Sequence, residues 1–520
     1  MEQKNTSIPK EKFRFVDGRE RLHDSKLETK PHSYFYDAFL RFCKNKGSVV
    51  GAVVIIFLIL FAIIVPFCTQ YTVNYKDTYY RTMLPRAKLF ENTNFWDGCE
   101  AVTHGKHDFT YYYAMGEETG HNAVKNQDYT INEEGQYCYR LDSVHKIGMK
   151  YINVSYEEYR AIQEYQDENE VQVIYPTVRK RNRPHFLPDN NDANYYFKTT
   201  GTGKTSIVYD EDGNIIPVYD SYIADSPDTT VDEYTSKMRI EGEDGFVDED
   251  GNNSYYTYAI LSSTVEIRVN YYEYYIFQHK CILKDGITEP YFVFGTTQNG
   301  QDILTCLASG ARFSFIFAIV VAAVNLIFGA IYGAIEGYYG GKTDLIMERV
   351  SDILAAVPSM IVITLLKLHM GGSSHILVLF LAFFMTGWIG MASTTRMQFY
   401  RYKNQEYVLA ARTLGAKDRR IIWKHIFPNA LGTLVTSCAL VIPSMIFSEA
   451  NLSYLGIINL SSGNITSVGT LISQGQASLT TAPFIALIPS VFLILLMLSF
   501  NLFGNGLRDA FNPSLRGSED

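Results

Sequence analysis

Three groups of residues in the middle of the chain have types and spacings that also occur in chemically active sites. Gly201-Thr-Gly-Lys-Thr205 resembles the end of a phosphate-binding loop, but Lys198 occupies the position that requires the first glycine. The sequence DEDGN at 210–214 is similar to a calcium loop, but its glycine is fourth rather than sixth and no glutamate follows at the twelfth position. We therefore predict a loop and a turn. The third group consists of histidines without partners at metal-site spacing, which we predict to be surface residues: His104, His107 and His121.

No Ser, His and Asp set and no Cys and His pair in this sequence supports nucleophilic catalysis. We therefore expect no catalytic residue, no metal and no cofactor bound by this chain, and no enzyme activity. Polar and conformationally special residues instead occur in or beside long apolar runs, where they mark solute pathways or form ordinary interhelical hydrogen bonds. The candidates for a solute pathway are Asn325, Pro358, Trp388, Glu449 and Asn501.

Charge is distributed unevenly along the 520 residues, whose formal net charge is −9. Residues 69–300 hold 21 Lys and Arg against 37 Asp and Glu, a net charge of −16, and the rest of the chain holds 25 against 18, a net charge of +7. The basic surplus is scattered over short loops, whereas nucleic-acid binding requires a concentrated basic face. We therefore exclude nucleic acid as a partner.

Six apolar runs predict an α-helical membrane protein with six transmembrane helices. Residues 49–67 contain no charge, and a helix of this length reaches roughly the 30 Å of a hydrocarbon core. Because 48 residues precede this run, we interpret it as a retained anchor rather than a cleaved signal. The other five runs, of which the second is short, lie at 313–332, 353–366, 376–393, 431–447 and 484–503.

The loop between the fourth and fifth runs indicates the orientation in the membrane. It holds eight Lys and Arg residues from Arg396 to Lys424, whereas residues 448–483 hold none. Because cytoplasmic loops carry the excess of Lys and Arg, we expect this loop and both termini in the cytoplasm. The predicted domains are a cytoplasmic segment at 1–48, a first transmembrane helix at 49–68, an extracellular domain at 69–300, a membrane core at 301–510 and a cytoplasmic tail at 511–520.

The extracellular segment is predicted to be an inserted β-rich or α+β domain between the first two transmembrane helices. It contains 29 of the 38 tyrosines, and the turn sequence DEDGN occurs in it twice, at 210–214 and 248–252, beside β-branched or aromatic residues. We predict a helix around 155–170 and a final pair of strands near 263–277 and 291–294.

The basic loop contains the most informative motif, EYVLAARTLGAKDRRIIWKHIFPNA at 406–430. Ala410 and Ala411 are small, Gly415 can end one short helix before another begins, and Pro428 can close the second near the next span. This pattern predicts a compact helical elbow that projects from the membrane.

The elbow resembles the cytoplasmic coupling loop of binding-protein-dependent ABC importers, which has two alanines, three residues, a glycine and a hydrophobic-x-Pro ending. Further blocks occur in the same order as in the second permease subunit of the oligopeptide, dipeptide and nickel family: RFCKNKGSVVG at 41–51, GTTQNGQDIL at 295–304, GARFS at 310–314, GYYGGKTD at 337–344, DILAAVPSM at 352–360, TGW at 386–388, EANLSYLG at 449–456 and FNLFGNGLRDAFNP at 500–513. The resemblance covers residues 39–68 and 295–513 and says nothing of 69–294. It departs from the family pattern at Leu409, where an acid usually precedes the paired alanines, and at 295–302, where an acid and a base are missing.

The resemblance implies a permease of the ABC importer type, surrounded by membrane lipid in the plasma membrane. Its implied partners are a second permease subunit, two cytoplasmic ATPase subunits that use ATP, and an extracellular solute-binding protein. Peptide is the expected solute; nickel chelates or glutathione are the alternative solutes, and a membrane sensor that uses its extracellular domain as a receptor is the alternative function. The residues implied to form the ATPase-coupling loop are Glu406, Ala410, Ala411, Gly415, Asp418 and Pro428.

Overall fold

The computed structural model describes residues 34–175, 193–194, 197–199, 205–209, 215–216, 259–261, 264–370, 375–458 and 466–511. An array of long helices is built from both ends of the chain, and a smaller region of strands and short helices lies between the second helix and residue 302. The helices are α1 (Tyr34–Lys44), α2 (Lys46–Cys68), α3 (Lys106–Thr119), α4 (Tyr156–Asn169), α5 (Tyr271–Phe277), α6 (Ile303–Tyr339), α7 (Gly341–Ala355), α8 (Ser359–His369), α9 (His375–Tyr402), α10 (Glu406–Thr413), α11 (Asp418–Arg420), α12 (Phe427–Tyr454), α13 (Val468–Gln476) and α14 (Phe484–Phe511).

Helix α2 has the length and composition of a membrane span. Its 23 residues extend roughly 34 Å, and the Asn45 side chain caps its first turn by accepting a hydrogen bond from the Ser48 N–H at 3.3 Å. It packs against α14 and α6, where buried Ile55 and Leu58 contact apolar side chains of both helices. The first predicted transmembrane helix is therefore confirmed as a long apolar helix.

Five helices among the described residues are long and apolar enough to cross a membrane: α2, α6, α9, the stretch Asp418–Tyr454 that ends with α12, and α14. The run at 353–366 is not one helix. It is divided between α7 and α8, which meet at an angle of 72°. Pro358 precedes α8 in an extended conformation, and proline lacks the N–H that would continue α7. The prediction of six spans therefore holds only if this bent pair counts as one.

Glycines join α6 to α9 at close range. A Cβ atom added to Gly329 would lie 2.6 Å from the Trp388 carbonyl oxygen, and one added to Gly333 would lie 2.1 Å from the Ala392 carbonyl oxygen. The spacing of four residues keeps these glycines on one helix face, so the two backbones approach each other. The absence of side chains at these glycines therefore allows α6 and α9 to pack closely.

The region between α2 and α6 contains ten described strands in three sheets. The strands are β1 (Cys99–His104), β2 (Val124–Ile131), β3 (Tyr137–Asp142), β4 (Met149–Val154), β5 (Ile174–Tyr175), β6 (Phe197–Thr199), β7 (Thr205–Tyr209), β8 (Ile215–Ile216), β9 (Ala259–Leu261) and β10 (Thr264–Asn270). The strand orders in the sheets are β1-β3-β2, β4-β10-β5 with β9 also paired to β10, and β6-β7-β8, and the strand pairings are antiparallel.

The predicted helix around 155–170 is confirmed, whereas the predicted final strand pair is wrong. Strand β10 ends at Asn270, whose side chain accepts a hydrogen bond from the Tyr272 N–H and so starts α5. Residues 291–294 form no strand. The partners of β10 are instead β4, β5 and β9. A local helix cap therefore ends the extended run that the aromatic residues suggested.

The first DEDGN sequence connects the two strands of a hairpin, because Tyr209 of β7 is paired with Ile215 of β8. The turn residues 210–214 lie outside the described residues, and so does the second copy at 248–252. The GTGKT stretch also joins antiparallel strands, since Thr199 of β6 is paired with Thr205 of β7. Because a phosphate-binding loop leads into a helix, this connection agrees with the predicted loop.

Candidate functional site

The loop between α9 and α12 is a helical elbow, as the motif predicted. Helix α10 ends at Thr413, and Gly415 follows with a φ of +81°, a left-handed conformation that favours glycine. The Gly415 N–H donates to the Arg412 carbonyl and the Ala416 N–H to the Ala411 carbonyl, at 3.0 and 3.1 Å, so the turn closes tightly. Helix α11 then continues through a turn of π-helix, Ile421–Ile426, into α12.

An apolar core fixes the elbow to the ends of the long helices. Val408, Ile421 and Ile426 are fully buried and pack with Phe399 of α9 and Tyr338 of α6. Apolar side chains taken out of water at this junction stabilise one position of the elbow relative to α6 and α9. The elbow is therefore packed directly onto the ends of α6 and α9.

Polar contacts reinforce this attachment at the end of α6. The Tyr338 hydroxyl donates to the Asp418 carboxylate at 2.6 Å, and the Arg412 guanidinium lies 3.4 Å from the same hydroxyl. The Lys403 ammonium donates to the Gly337 carbonyl at 2.9 Å, and burial lowers the pKa of Lys403. Sequence analysis missed Tyr338 because 80 residues separate it from Asp418.

The predicted coupling residues lie on the outer surface of this elbow. Glu406, Ala410, Gly415 and Pro428 are exposed, and Ala411 is half-buried. Asp418 is exposed as well, although it accepts the Tyr338 hydrogen bond. The open space around Gly415 shows that its backbone conformation, not packing, requires glycine. The structure therefore brings these residues together on one projection.

Large apolar side chains on the elbow also face outward, among them Leu414 and Trp423. Leu414 is 88 % exposed and Trp423 is 42 % exposed. Exposed apolar side chains on a rigid projection are typical of a protein contact surface. Sequence analysis did not single them out, although both lie within the 406–430 motif.

An ionic cluster ties α7 to α9 beside the elbow. Arg396 donates to Asp344 at 2.6 and 2.9 Å and to Glu348 at 2.8 and 3.1 Å, and lies 3.5 Å from Glu336. The Tyr400 hydroxyl also donates to Asp344, at 2.6 Å. Sequence analysis counted Arg396 only as a basic residue of the loop. The three acidic residues Glu336, Asp344 and Glu348, which precede α9 in the sequence, were the available signal for this partnership.

The predicted pathway residues do not form one group. Asn325 and Trp388 lie at the contact of α6 with α9, where the Asn325 side chain donates weakly to the Phe383 carbonyl at 3.4 Å. Trp388 packs between the rings of Phe328 and Tyr332. Both side chains are buried within this subunit.

The remaining three candidates lie elsewhere. Glu449 is 1 % exposed and accepts hydrogen bonds from Ser314 and Ser453 at 3.1 and 3.0 Å. Ser314 lies 11 residues before Asn325 on α6, which is roughly 16 Å along the axis. Pro358 and Asn501 are exposed.

Two of the three histidines of the inserted region have identified side-chain partners. The His104 ring lies 2.8 Å from the Tyr139 hydroxyl, and the His121 ring lies 2.7 Å from Glu273. His107 is exposed and also has an interaction. Within the described part of the chain, no three His, Cys, Asp or Glu side chains are grouped as a metal site.

Comparisons with known proteins match both ends of the chain. A family model described as binding-protein-dependent transport system inner membrane component matches residues 325–517, and one described as the N-terminal TM domain of oligopeptide transport permease C matches residues 33–85. The chain is 43 % identical to the oligopeptide transport system permease protein OppC of Bacillus subtilis over 223 residues, which are 43 % of this chain and 72 % of that protein.

Two further relatives agree with this result. The dipeptide transport system permease protein DppC of Lactococcus lactis is 41 % identical over 44 % of this chain and 65 % of its own length. OppC of Escherichia coli K12 is 38 % identical over 43 % of this chain and 72 % of its own length. Among solved structures, a chain of the MetNI methionine ABC transporter has 15 % identity and a TM-score of only 0.31 over 40 % of this chain and 96 % of that chain.

The described helices and these matches define a multi-pass bacterial membrane permease, not an ATPase. The chain belongs to the family of binding-protein-dependent transport system inner membrane components, in the branch of the oligopeptide and dipeptide ABC permeases. The resemblance inferred from the sequence is confirmed, and the matches support the importer over the sensor.

Proposed function

We propose that this chain forms part of the solute pathway of an ATP-driven peptide importer and couples that pathway to ATP hydrolysis through its elbow. The names of its relatives, which are oligopeptide and dipeptide permeases, support peptide as the solute. The proposed complex contains a second permease subunit, two cytoplasmic ATPase subunits and an extracellular solute-binding protein. ATP binds to the ATPase subunits, and this chain contributes no ATP-binding residue.

The attachment of the elbow to α6 and α9 carries the coupling proposal. A force applied to exposed Leu414 and Trp423 reaches the buried core around Val408 and the contact of Tyr338 with Asp418. Because packed interiors resist compression, such a force displaces helices rather than deforming the loop. Closure of the ATPase subunits would in this way switch the long helices between inward-facing and outward-facing arrangements.

The orientation follows from charge. The elbow and both termini lie in the cytoplasm in this proposal, because residues 396–424 carry eight Lys and Arg whereas the connection 448–483 carries none. The domains are those of the sequence prediction, so that residues 69–300 form an extracellular α+β domain. Its net charge of −16 suits a docking site for a solute-binding protein with a basic face.

Substitution of Gly415 tests the coupling proposal. Gly415→Val places a β-branched residue at a φ of +81°, which L residues avoid at a cost of about 1–2 kcal/mol or more, so the elbow surface is distorted. We expect peptide uptake by the reconstituted complex to be abolished while the permease remains in the membrane. ATP hydrolysis should no longer respond to the loaded binding protein.

Gly415→Asn is the matched control, because asparagine tolerates the left-handed conformation and the space around this position is open. We expect it to retain most of the uptake. Normal ATP-driven peptide uptake by Gly415→Val would refute the coupling role of the elbow.

A further inference from the structure

Helix α12 exposes polar residues along one face of its membrane span. Thr433, Ser444 and Asn451 are exposed, and Ser437 is half-exposed. The spacings of four and seven residues place them in one stripe, which is roughly 27 Å long from Thr433 to Asn451. A polar side chain that faces hydrocarbon loses its hydrogen bonds to water, so such a stripe favours contact with water or protein.

Helix α14 presents a second polar stripe beside the first. Asn501, Asn505 and Arg508 are exposed at spacings of four and three residues. A Cβ atom added to Gly504 would lie 2.1 Å from the Leu440 side chain of α12, so the two helices touch at this level. The stripes of α12 and α14 are therefore neighbours.

Helix α9 presents a third group of exposed or polar positions, next to those of α12 and α14. Gly390 is exposed with open space around it, and Gln398 and Arg401 follow at spacings of eight and three residues. The Gln398 side-chain oxygen is buried and has no hydrogen-bond partner among the described residues. A buried polar atom of this kind indicates a water molecule or ligand group beside it.

The three helices line one open cavity of about 390 Å³ at the end nearest the elbow. Its lining includes Gln398, the hydroxyls of Thr433 and Ser437, and two arginines, Arg401 and Arg508. Among the residues that the structure describes, no carboxylate lies within ion-pair distance of either guanidinium. The cavity therefore carries positive charge that is not neutralised by this part of the chain.

We propose that the polar faces of α9, α12 and α14 form the elbow-side vestibule of the solute pathway, and that Arg401 and Arg508 bind the carboxylate of the solute there. This inference rests on the proposed function and adds a recognition site to it. A guanidinium pairs with a carboxylate through parallel N–H donors, and a peptide with a free C-terminus carries that group. Both arginines are exposed, so solvent and salt weaken the contact and the solute can leave.

A phospholipid phosphate offers the same oxyanion chemistry as a carboxylate, and the alternative is a lipid headgroup at this cavity. The polar stripe on α12 favours the solute, because it continues far beyond the depth of headgroups. A lipid headgroup bound at the arginines would leave Ser444, about 10 Å further along α12 than Ser437, facing acyl chains.

Competition between two peptides tests the site. The reconstituted complex is given a peptide with a free C-terminal carboxylate and the same peptide as its C-terminal amide, in the native chain and in the double variant Arg401→Gln, Arg508→Gln. We expect the ratio of free-peptide uptake to amidated-peptide uptake to fall about fivefold in the double variant, because two exposed charge contacts to the carboxylate are lost. Uptake of the amidated peptide should be unchanged. An unchanged ratio, or equal loss of both peptides, would overturn the proposal.

Lys342→Gln is the matched control, because it removes one exposed cation from α7, outside the cavity lining; the ratio should stay at the native value. The assay is repeated in vesicles of phosphatidylcholine alone and with phosphatidylglycerol. A ratio that persists without anionic lipid supports the solute site, and a ratio that appears only with phosphatidylglycerol assigns the arginines to lipid and overturns it.

Thiol labelling tests the vestibule without transport, so its outcome is independent of the proposed function. Thr433→Cys should react with a charged thiol reagent above the background of the native chain, and Val435→Cys should not, although Val435 is 40 % exposed two residues away. Equal labelling of both would refute the vestibule. If the native complex moves neither peptide while this labelling contrast holds, the peptide-import proposal fails and the vestibule stands.

Discussion

Buried hydroxyls in the inserted region are held by one carboxylate. Asp77 is 3 % exposed and accepts hydrogen bonds from the Tyr271 and Tyr75 hydroxyls and from the N–H groups of Tyr79 and Tyr80. Burial, reinforced by Asp77, raises the pKa of Tyr271 well above its ordinary value, so the hydroxyl remains a donor. Tyr75 and Tyr271 therefore hold Asp77 in place through their hydroxyls. Sequence analysis could not predict this group, because Asp77 and Tyr271 are 194 residues apart.

His145 predicts a pH dependence of stability. Burial is the main cause that lowers its pKa from 6.5 to about 4, and the nearby Arg86 and His121 act in the same direction. The folded state therefore favours neutral His145, while the unfolded state takes up a proton below pH 6.5. The His145 contribution to stability is fully present above about pH 6.5 and falls by about 3 kcal/mol as the pH falls to about 4.

The measurement is thermal unfolding of the purified protein in detergent across this pH range. His145→Phe keeps an aromatic ring beside His121 and Tyr272 but cannot take up the proton. We expect a flatter pH profile for this variant than for the native chain between pH 6.5 and 4. Parallel profiles would show that His145 does not contribute.

At the scale of elements, local signals were predictable from the sequence and distant partners were not. Helix α4 begins where Ser155 caps the Glu158 N–H, and the turn at Gly415 lies where the motif placed it. The division of α7 from α8 was missed, although Pro358 marks it, because hydrophobicity alone suggested a continuous run. The cluster around Arg396 required knowledge that α7 and α9 are neighbours. Pairing between elements depends on packing that a single sequence does not display.

The contact of α6 with α9 can be tested with two glycines. Gly333→Ala forces a methyl group to within 2.1 Å of the Ala392 carbonyl oxygen, so the helices must separate. We expect a loss of stability of about 2 kcal/mol and a reduced yield of assembled complex. Gly390→Ala, on α9, is the control because a methyl group there meets open space.

The two variants and the native chain are compared by their thermal unfolding in detergent and by the amount of complex recovered with the partner subunits. The control should match the native chain or exceed it slightly, since alanine favours the helix over glycine. If both alanine variants behave alike, the close approach of α6 and α9 does not determine stability.

At the scale of the whole molecule, the charge distribution predicts which parts face each side of the membrane. Glu133 lies in the exposed turn between β2 and β3, and Lys417 lies on the elbow. With an impermeant thiol reagent on intact cells, we expect labelling above the native background for Glu133→Cys and none for Lys417→Cys. Lysed cells should label both. The reverse pattern on intact cells would invert the proposed topology.

The acidic inserted region predicts salt-dependent docking. Residues 241–250 contain six Asp and Glu residues, and we expect the importer's solute-binding protein to bind the full permease more weakly as salt rises from 50 mM to 500 mM. Neutralising these six acids to Asn and Gln should reduce both the affinity and its salt dependence. Affinity that is independent of salt and of this change would exclude electrostatic docking through this segment.

The inserted region begins and ends at one point beside the membrane helices. The Asp77 N–H donates to the Gly300 carbonyl at 3.1 Å, and Gly300 has a φ of +71° and lies so close that an added Cβ would collide with the Asp77 carbonyl oxygen. A hydrogen bond between the two ends means that the intervening chain leaves the helical array and returns without stretching it. Additional residues can therefore accumulate there over evolutionary time at a small cost in loop-closure entropy and without displacing α2 or α6. This region can therefore grow longer in the course of evolution while the membrane helices keep their length and arrangement.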